Sequence, residues 1–550
     1  MNKSLAIHHD NIIFDLFDND IYFDFSSVDG GETVDSYISR EIIYEIKEQD
    51  FDIIFIKDNL SSNYLELLGL RVAYHIRLSS ELGDKKFLPI IILSDIDSYM
   101  LNSFDPTAQI LFTKNIFIVK NTKNEIEKIK NKKFSNFTLE EYKTGFLNRI
   151  TVEPPKDYLS HHSIANEWSI YRWSKFLDVD SNSVKTNNEK IQNMLYFKYL
   201  KEIYKQEDKH LDKNICKLNS KTKGNILLID DEWNKGWSDI LAKIFKNYDK
   251  VDFQTFKYDF KDKSNFNLNF QINHKGLKQQ IQNADVIILD LRLIEQDHDE
   301  DTDIENYSGI KILEKIHEIN VGIQVIMLTA TSKSTILEKL YEKKILGYIK
   351  KEHPEDRSIN TVENINKFIK LINKGLKRKY LKEIYIIKSK ITNLLDIELT
   401  ENIKDQDCKI FAKFNRSKDY YMKFALKIYR EALYTFEVLD SNLKNRFIFA
   451  MLSIISSFEA INSILIKEFR NDDDKFWDGT IVQKNKLNDR LEELYQKLNG
   501  EGKLDIQAMI QNRNNYLHSN IKTVHIEPGD IVKLFEAELK MIQAIKNYQN

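Results

Sequence analysis

The chain has 550 residues, with 81 Lys and Arg against 84 Asp and Glu, which gives a formal net charge of −3. A single domain usually holds roughly 100–200 residues, so we expect about three domains. The balanced charge excludes an overall basic excess for tight nucleic-acid binding, so any RNA contact must be local. Cys216 and Cys408 lie far apart without neighbours at metal-ligand spacing, which argues against a disulfide framework and a zinc site.

The sequence predicts a cytoplasmic protein without a membrane partner. No uninterrupted apolar run approaches the roughly 20 residues that a membrane-spanning helix needs. The N-terminal stretch MNKSLAIHHDNIIFDLFDND carries acidic residues among its apolar ones and has no small-residue cleavage site, unlike a secretory signal.

Residues 1–150 are predicted to form an α/β domain. Apolar runs at 51–58, 89–95 and 108–119 predict buried strands, and residues 65–83, between the first two, have helical apolar spacing. A strand, helix, strand order favours a parallel sheet with crossover helices on both faces. A helical connector is predicted next, at 151–220, and it is split by a polar stretch at 178–188.

Residues 221–375 predict a second doubly wound α/β domain. Its strands are expected, between helices, at 225–231, 251–256, 285–293, 324–330 and 345–351. All later periodic segments are helical, and they predict a linker at 376–405 and an all-α bundle at 406–550. The fold class is therefore multidomain: two α/β doubly wound domains joined by helices to a C-terminal helical bundle.

Five polar residues end strand-like runs of the second α/β domain: Asp230, Asp231, Asp290, Thr329 and Lys351. Functional groups of open parallel sheets gather at the carboxyl ends of strands, so we expect these side chains to meet. Three carboxylates at one sheet edge repel one another unless a hard cation such as Mg²⁺ lies among them. A hydroxyl and an ammonium group complete a predicted phosphate-binding pocket.

The runs ILLIDDE, DVIILDLRL, MLTAT and GYIKK resemble the receiver domains of two-component response regulators, which have a flavodoxin-like fold. The resemblance implies that Asp230, Asp231 and Asp290 bind Mg²⁺ and that Asp290 accepts a phosphoryl group from a histidine kinase. Thr329 and Lys351 would bind the phosphoryl oxygens.

The same resemblance implies that Tyr348 is the switch aromatic. Glu352 stands where the family usually has Pro, and the neighbouring Lys350 leaves the choice of lysine open. The alternative is a receiver-like domain that binds proteins and is never phosphorylated.

The first α/β domain resembles a degenerate receiver, or pseudo-receiver. The runs FDIIFIKDNL and PIIILSDID align with those of the second domain and put Lys57 at the acceptor position and Ser94 at the hydroxyl position. Asp58 is a second candidate acceptor, but a shift of one residue along a strand reverses the facing of its side chain. The resemblance implies a docking domain that has lost its acceptor.

The C-terminal helices include the motif RNNYLH, from Arg513 to His518. It resembles the motif of the HEPN family of metal-independent ribonucleases, which are dimeric helical bundles. The resemblance implies that His518 transfers protons, Arg513 stabilises charge on phosphorus and Asn514 orients them, with no cofactor. Glu459, on an earlier helix, matches an acidic position of the family. A catalytically dead dimerisation module is the alternative.

Together these segments predict a response regulator in which phosphorylation of Asp290 by a histidine kinase controls a homodimeric ribonuclease. RNA would be the substrate, with tRNA as one candidate, and a toxin or antiviral defence role follows by analogy. The competing hypothesis is a non-enzymatic signalling adaptor.

Overall fold

The computed structural model of the chain describes most of its length. The described residues are 3–9, 21–25, 32–63, 66–135, 137–155, 161–203, 218, 223–258, 260, 276–298, 303–330, 338–340, 342–356, 360–395, 427, 429–432, 446–469, 472–518 and 524–548. Both cysteines and most of residues 396–445, which include the start of the predicted all-α bundle, lie outside these ranges.

The N-terminal domain is built on a five-stranded parallel sheet in the order β2-β1-β3-β4-β5. Its strands are β1 (Ser4–His8), β2 (Ile21–Asp24), β3 (Ile53–Lys57), β4 (Ile90–Leu93) and β5 (Ile116–Val119). The three predicted strands are present, although the last begins later than predicted because Pro106–Phe112 forms a 3-10 helix. The sequence prediction missed β1 and β2.

Helices cover both faces of this sheet. They are α1 (Val34–Tyr37), α2 (Ile43–Glu48), α3 (Leu68–Leu78), α4 (Ser98–Phe104), α5 (Lys123–Lys130) and α6 (Leu139–Gly145). A turn of π-helix, Ile38–Ile42, joins α1 to α2. The inner strands β1, β3 and β4 are buried on both faces, whereas the edge strands β2 and β5 are only partly buried.

The connector consists of α7 (His161–Leu177), α8 (Asn182–Asn193) and α9 (Leu195–Ile203). The polar stretch predicted at 178–188 is helical from Asn182 onward, which corrects the predicted break. Ser181 caps α8 by accepting a hydrogen bond from the Val184 amide, and the buried Val184 and Ile191 give α8 an inward face.

The central domain repeats the topology of the first, with five parallel strands in the order β10-β9-β8-β6-β7. The strands are β6 (Gly224–Ile229), β7 (Val251–Thr255), β8 (Val286–Asp290), β9 (Gln324–Thr329) and β10 (Gly347–Lys350). Each lies within a segment predicted as a strand, apart from the first residue of β6. The sheet is flanked by α10 (Trp237–Phe245), α11 (Leu277–Asn283), α12 (Ser308–Asn320) and α13 (Thr361–Lys377).

Both domains carry a glycine where a helix meets the end of the middle strand. A Cβ atom on Gly69 would lie 2.0 Å from the Lys57 carbonyl oxygen, and one on Gly309 would lie 2.3 Å from that of Asp290. No side chain fits at such distances from backbone, so both positions require glycine.

In the C-terminal region, the described regular elements are helices and a two-stranded ribbon, β11 (Ile466–Lys467) and β12 (Lys475–Phe476). Its described helices are α14 (Tyr380–Leu395), α15 (Arg446–Leu465), α16 (Leu487–Lys497), α17 (Gln507–Leu517) and α18 (Pro528–Asn547). The predicted linker helix α14 packs against α18, and its apolar residues belong to the bundle core.

Among the described helices, α15 alone is long and apolar enough to cross a membrane by length and composition. The core helix of a soluble protein passes the same test, and 61% of its most apolar window is buried inside the protein. The absence of a membrane partner stays a prediction.

Candidate functional site

The predicted phosphate pocket lies at the carboxyl edge of the central sheet. Asp230 follows β6, Asp290 ends β8, Thr329 ends β9 and Lys351 follows β10. The apolar residues before them pair in parallel register, which brings the four strand ends side by side. The structure therefore brings together the residues that the sequence analysis selected.

Three carboxylates converge at this edge. Ligand oxygens of Asp230, Asp231 and Asp290 all lie within 4.8 Å of one another. The Lys351 ammonium group donates to Asp290 Oδ2 at 2.6 Å and to Asp230 Oδ2 at 3.2 Å. The neighbouring Lys350 points elsewhere and pairs with Asp356, so Lys351 is the lysine of the site.

Burial shifts the pKa values of Asp230 and Asp231 in this cluster upward, because it disfavours their charged forms. It raises the pKa of Asp230 to about 7, even though the Lys351 charge acts in the opposite direction. Burial, together with the neighbouring Glu232, also raises the pKa of Asp231. For Lys351, burial lowers the pKa, but Asp230 and Asp290 outweigh it and the pKa is raised overall. The carboxylates thus outnumber the one ammonium group among them, and a further cation would relieve their repulsion.

The carboxylate cluster fits Mg²⁺. This ion prefers oxygen ligands and is bound by one or two carboxylates together with phosphate and water. Asp230, Asp231 and Asp290 supply such oxygens within 4.8 Å of one another.

Thr329 is buried at 1% exposure and lines the same cavity as Asp290 and Lys351. Tyr348 lies on β10, partly buried, and its ring is 4.3 Å from the Lys367 ammonium nitrogen. Tyr348 does not line the cavity, so its predicted role as a switch rests on the resemblance alone.

The cavity over Asp290 has a volume of about 40 Å³. Four residues that line this cavity were not predicted from the sequence. Ser163 and Asn166 come from α7, and Arg292 and His298 follow β8. Only Glu232, directly after the acidic pair, carried a signal in the sequence. The connector residues lie more than 60 positions before the acidic pair and gave none.

Glu352, which stands where the family usually has Pro, is buried, and both of its carboxylate oxygens accept hydrogen bonds. Its carboxylate accepts hydrogen bonds from Trp173 Nε1 at 2.8 Å and from the Thr361 hydroxyl at 2.7 Å. Burial raises the pKa of Glu352 despite these donors. The residue after the site lysine therefore joins the central domain to the connector.

The same edge of the N-terminal sheet has different chemistry. Lys57 ends β3 as Asp290 ends β8, and the strand register aligns Ser94 with Thr329. His8 and His9 stand where the central domain has its acidic pair. Asp58 is buried, and its Oδ1 accepts a hydrogen bond from the Asn59 amide.

The C-terminal motif lies at the end of α17. The Arg513 guanidinium group pairs with Glu459 of α15 and donates to Asn514 Oδ1 at 3.0 Å. His518 caps the helix, its side chain is exposed, and its amide donates to the Asn514 carbonyl at 3.0 Å.

A groove of about 680 Å³ runs beside this motif. Its walls include Glu459, Arg513 and Asn514, but His518 is not among them. Most of the other lining residues are polar: Asn462, Ser463, Glu468, Asn485, Lys486, Asn488, Asp489, Arg490, Gln507 and Gln511. Three of the four residues predicted as catalytic therefore share one open, polar groove.

Comparison with known families identifies one region of the chain. Residues 10–119 match the family described as Inactive Receiver domain. The match covers β2 to β5 of the N-terminal sheet and confirms the predicted pseudo-receiver. A receiver-like domain indicates a signalling role. Among curated proteins, no match to the chain is found.

Proposed function

We propose that this protein is a response regulator whose central domain accepts a phosphoryl group on Asp290 and whose C-terminal bundle is the controlled effector. The observation that carries the proposal is the cluster of three carboxylates within 4.8 Å, with the Lys351 ammonium group 2.6 Å from Asp290. The inactive receiver domain at 10–119 supports a signalling role for the whole chain.

The proposed acceptor is suited to in-line transfer from a phosphohistidine. The bond between phosphorus and the donor imidazole breaks as a carboxylate oxygen of Asp290 bonds to phosphorus, and the imidazole takes up a proton. Lys351 already contacts Asp290 and would neutralise charge on the phosphoryl oxygens, and Thr329 would donate a hydrogen bond to them. Mg²⁺, held by Asp230, Asp231 and Asp290, would supply further charge neutralisation.

The proposed effector activity is cleavage of RNA. The 2′-hydroxyl oxygen would attack the adjacent phosphorus and lose its proton, while the 5′-oxygen leaves and gains one. The products are a 2′,3′-cyclic phosphate and a 5′-hydroxyl. His518 would carry one proton transfer, and Arg513 would stabilise the charge on phosphorus. A homodimer would provide the second motif of the cleft, and the polar groove beside Arg513 would hold the RNA.

A non-enzymatic adaptor is the second candidate, and two observations favour it. Arg513 is already neutralised by Glu459, and His518 lies outside the residues that line the groove. In that case the bundle would serve for dimerisation or for binding a partner.

The deciding experiment incubates purified protein with total RNA and with tRNA, with and without acetyl phosphate and Mg²⁺. We expect the wild type to cleave RNA and the phosphodonor to change the rate, whereas His518→Ala should lose at least 100-fold of the activity. His525→Ala removes an exposed histidine outside the motif and is the matched control. Asp290→Asn should keep only the rate seen without phosphodonor. Absence of cleavage under every condition would select the adaptor.

A further inference from the structure

Helix α7 of the connector forms one wall of the cavity over Asp290. Ser163 and Asn166 line this cavity, and Asn166 is only 2% exposed. The Asn166 amide nitrogen donates to the Glu232 carboxylate, and its oxygen accepts a hydrogen bond from Trp237 Nε1 at 2.6 Å. Asn166 thus ties α7 to the acidic side of the site.

The same helix also contacts the lysine side of the site. Ser169 hydrogen-bonds to the backbone of Glu352, which directly follows Lys351. One turn further along, Trp173 Nε1 donates to Glu352 Oε1 at 2.8 Å. Since α7 is attached at both sides of the cavity, a change in the shape of the cavity must act on α7.

The other end of the connector is fixed to the N-terminal domain by buried polar contacts. Asp35 accepts a hydrogen bond at 2.8 Å from the amide of Leu195, the first residue of α9. Lys198 donates to the Ser79 hydroxyl at 2.8 Å, and Glu202 lies 3.3 Å from the Lys86 ammonium nitrogen.

Between these ends, the connector has a small core of its own. Residues of α7, α8 and α9 form one apolar cluster, in which the Trp168 and Phe197 rings stack 6.4 Å apart. A displacement of α7 therefore reaches α9 through packed side chains.

The cavity leaves little room for a phosphorylated aspartate together with Mg²⁺ and its water ligands. Its 40 Å³ is room for about three water molecules. A phosphoryl group adds phosphorus and three oxygens, and Mg²⁺ usually keeps several water molecules. The added negative charge would also lie in a cavity that Glu232 lines, and Asn166 holds the carboxylate of that residue.

We propose that Asn166 is a positioning residue that holds the cavity closed, and that phosphorylation of Asp290 breaks its contact with Glu232 and displaces α7. The connector then transmits this displacement to the N-terminal receiver-like domain. This inference rests on the proposed phosphorylation of Asp290, and it adds the N-terminal domain as the first recipient of the signal, inside the same chain. A protein in a closed state binds with an affinity reduced by the population of the open state, so weakening the closed state strengthens binding.

The test uses beryllium trifluoride with Mg²⁺, a mimic of the phosphoryl group, on the full-length protein. Calorimetry should show about tenfold tighter binding to Asn166→Ala than to the wild type, which corresponds to about 1.4 kcal/mol. Asn188→Ala is the matched control: its amide donates to the Ser174 hydroxyl at 3.2 Å within the connector, and neither residue lines the cavity, so the affinity should not change. Hydrogen exchange should accelerate in α7 and α9 of the wild type when the mimic binds.

The outcomes distinguish the role of Asn166 from the phosphorylation of Asp290. Equal affinity of the wild type and Asn166→Ala, or α7 exchange that the mimic does not change, would overturn the role of Asn166 while leaving the acceptor intact. Binding to Asn166→Ala alone would support a closed cavity in the wild type. No binding to either protein would overturn both this inference and the phosphorylation of Asp290.

Discussion

The two sheets of this protein share one topology and differ at one edge. Both have the strand order 2-1-3-4-5 within their domain, and both keep a glycine, Gly69 or Gly309, against the end of the middle strand. The central sheet ends in a buried acidic cluster, whereas the N-terminal sheet has Lys57 in place of the acceptor. Packing constraints have thus been retained in both domains, while the ionisable residues that would serve phosphoryl transfer occur in only one.

The domains also use buried charge differently. In the N-terminal domain, Arg77 of α3 is completely buried and donates to the carbonyl oxygens of Leu88 and Asn115. These hydrogen bonds link α3 to the segments that precede β4 and β5. In the central domain, the buried charges face a cavity and repel one another. In the first domain the buried charge of Arg77 joins structural elements, whereas in the second the buried charges lie around the candidate site.

The largest expected difference is in phosphorylation. With radiolabelled acetyl phosphate and Mg²⁺, Asp290→Asn should lose at least 100-fold of the label, because the amide cannot accept the phosphoryl group. Asp58→Asn should label like the wild type, since no acidic pair accompanies Asp58. Label that survives in Asp290→Asn and disappears in Asp58→Asn would reverse the assignment of the two domains.

Both domains have a glycine packed against the end of the middle strand, and substitutions of these glycines test this shared feature. Gly69→Ala and Gly309→Ala should each lower the free energy of unfolding of their domain by about 3 kcal/mol, because the new Cβ meets backbone oxygens. Gly529→Ala, in a helix with open space around the Cβ position, is the control and should not destabilise. Chemical denaturation measures all three. A neutral effect at either sheet would contradict the close approach.

Acidification should affect the two domains in opposite directions. Burial lowers the pKa of His75 in the N-terminal domain to about 4, with Lys198 and Arg71 acting the same way and Asp35 opposing. Because the unfolded chain takes up this proton near pH 6.5, the N-terminal domain loses stability as the pH falls from about 6.5 to 4. At pH 5.5 the expected loss is about 1.4 kcal/mol.

In the central domain, Asp230 should contribute stability over the same range, against the opposite effect of His298 and His317, whose pKa values burial lowers. Asp230 has a raised pKa of about 7, so the folded state holds a proton that the unfolded state releases. Hydrogen exchange at pH 7.5 and 5.5, corrected for intrinsic rates and without Mg²⁺, separates the two domains. His75→Gln should remove the loss in the N-terminal domain. Parallel changes in both domains would contradict this assignment of charges.

The sequence predicted the central sheet closely because its strands are short apolar runs bounded by polar residues, as at Val286–Asp290. It missed β1 and β2, in each of which only three consecutive residues are apolar, as in Ile21–Asp24. The choice between Lys350 and Lys351 depended on which side of the chain faces the carboxylates, and only the structure gives that.

The site itself was predictable only in part. Asp230, Asp290, Thr329 and Lys351 end strands of one sheet, so topology alone brings them together. Asn166 reaches the cavity through the packing of a separate helix, and no local pattern encodes such a contact. His518 was selected by spacing, but its exposed position at the end of α17 depends on where the helix stops.

The joint between α8 and α9 is a single residue, Met194, in extended conformation. A joint of one residue has only two soft backbone torsions, so α9 must follow a movement of α8 closely. In the proposed relay, this joint would make α8 and α9 move together like a lever rather than like the ends of a flexible tether. Inserting a few Gly and Ser residues at Met194 should then uncouple the two domains mechanically while leaving each folded.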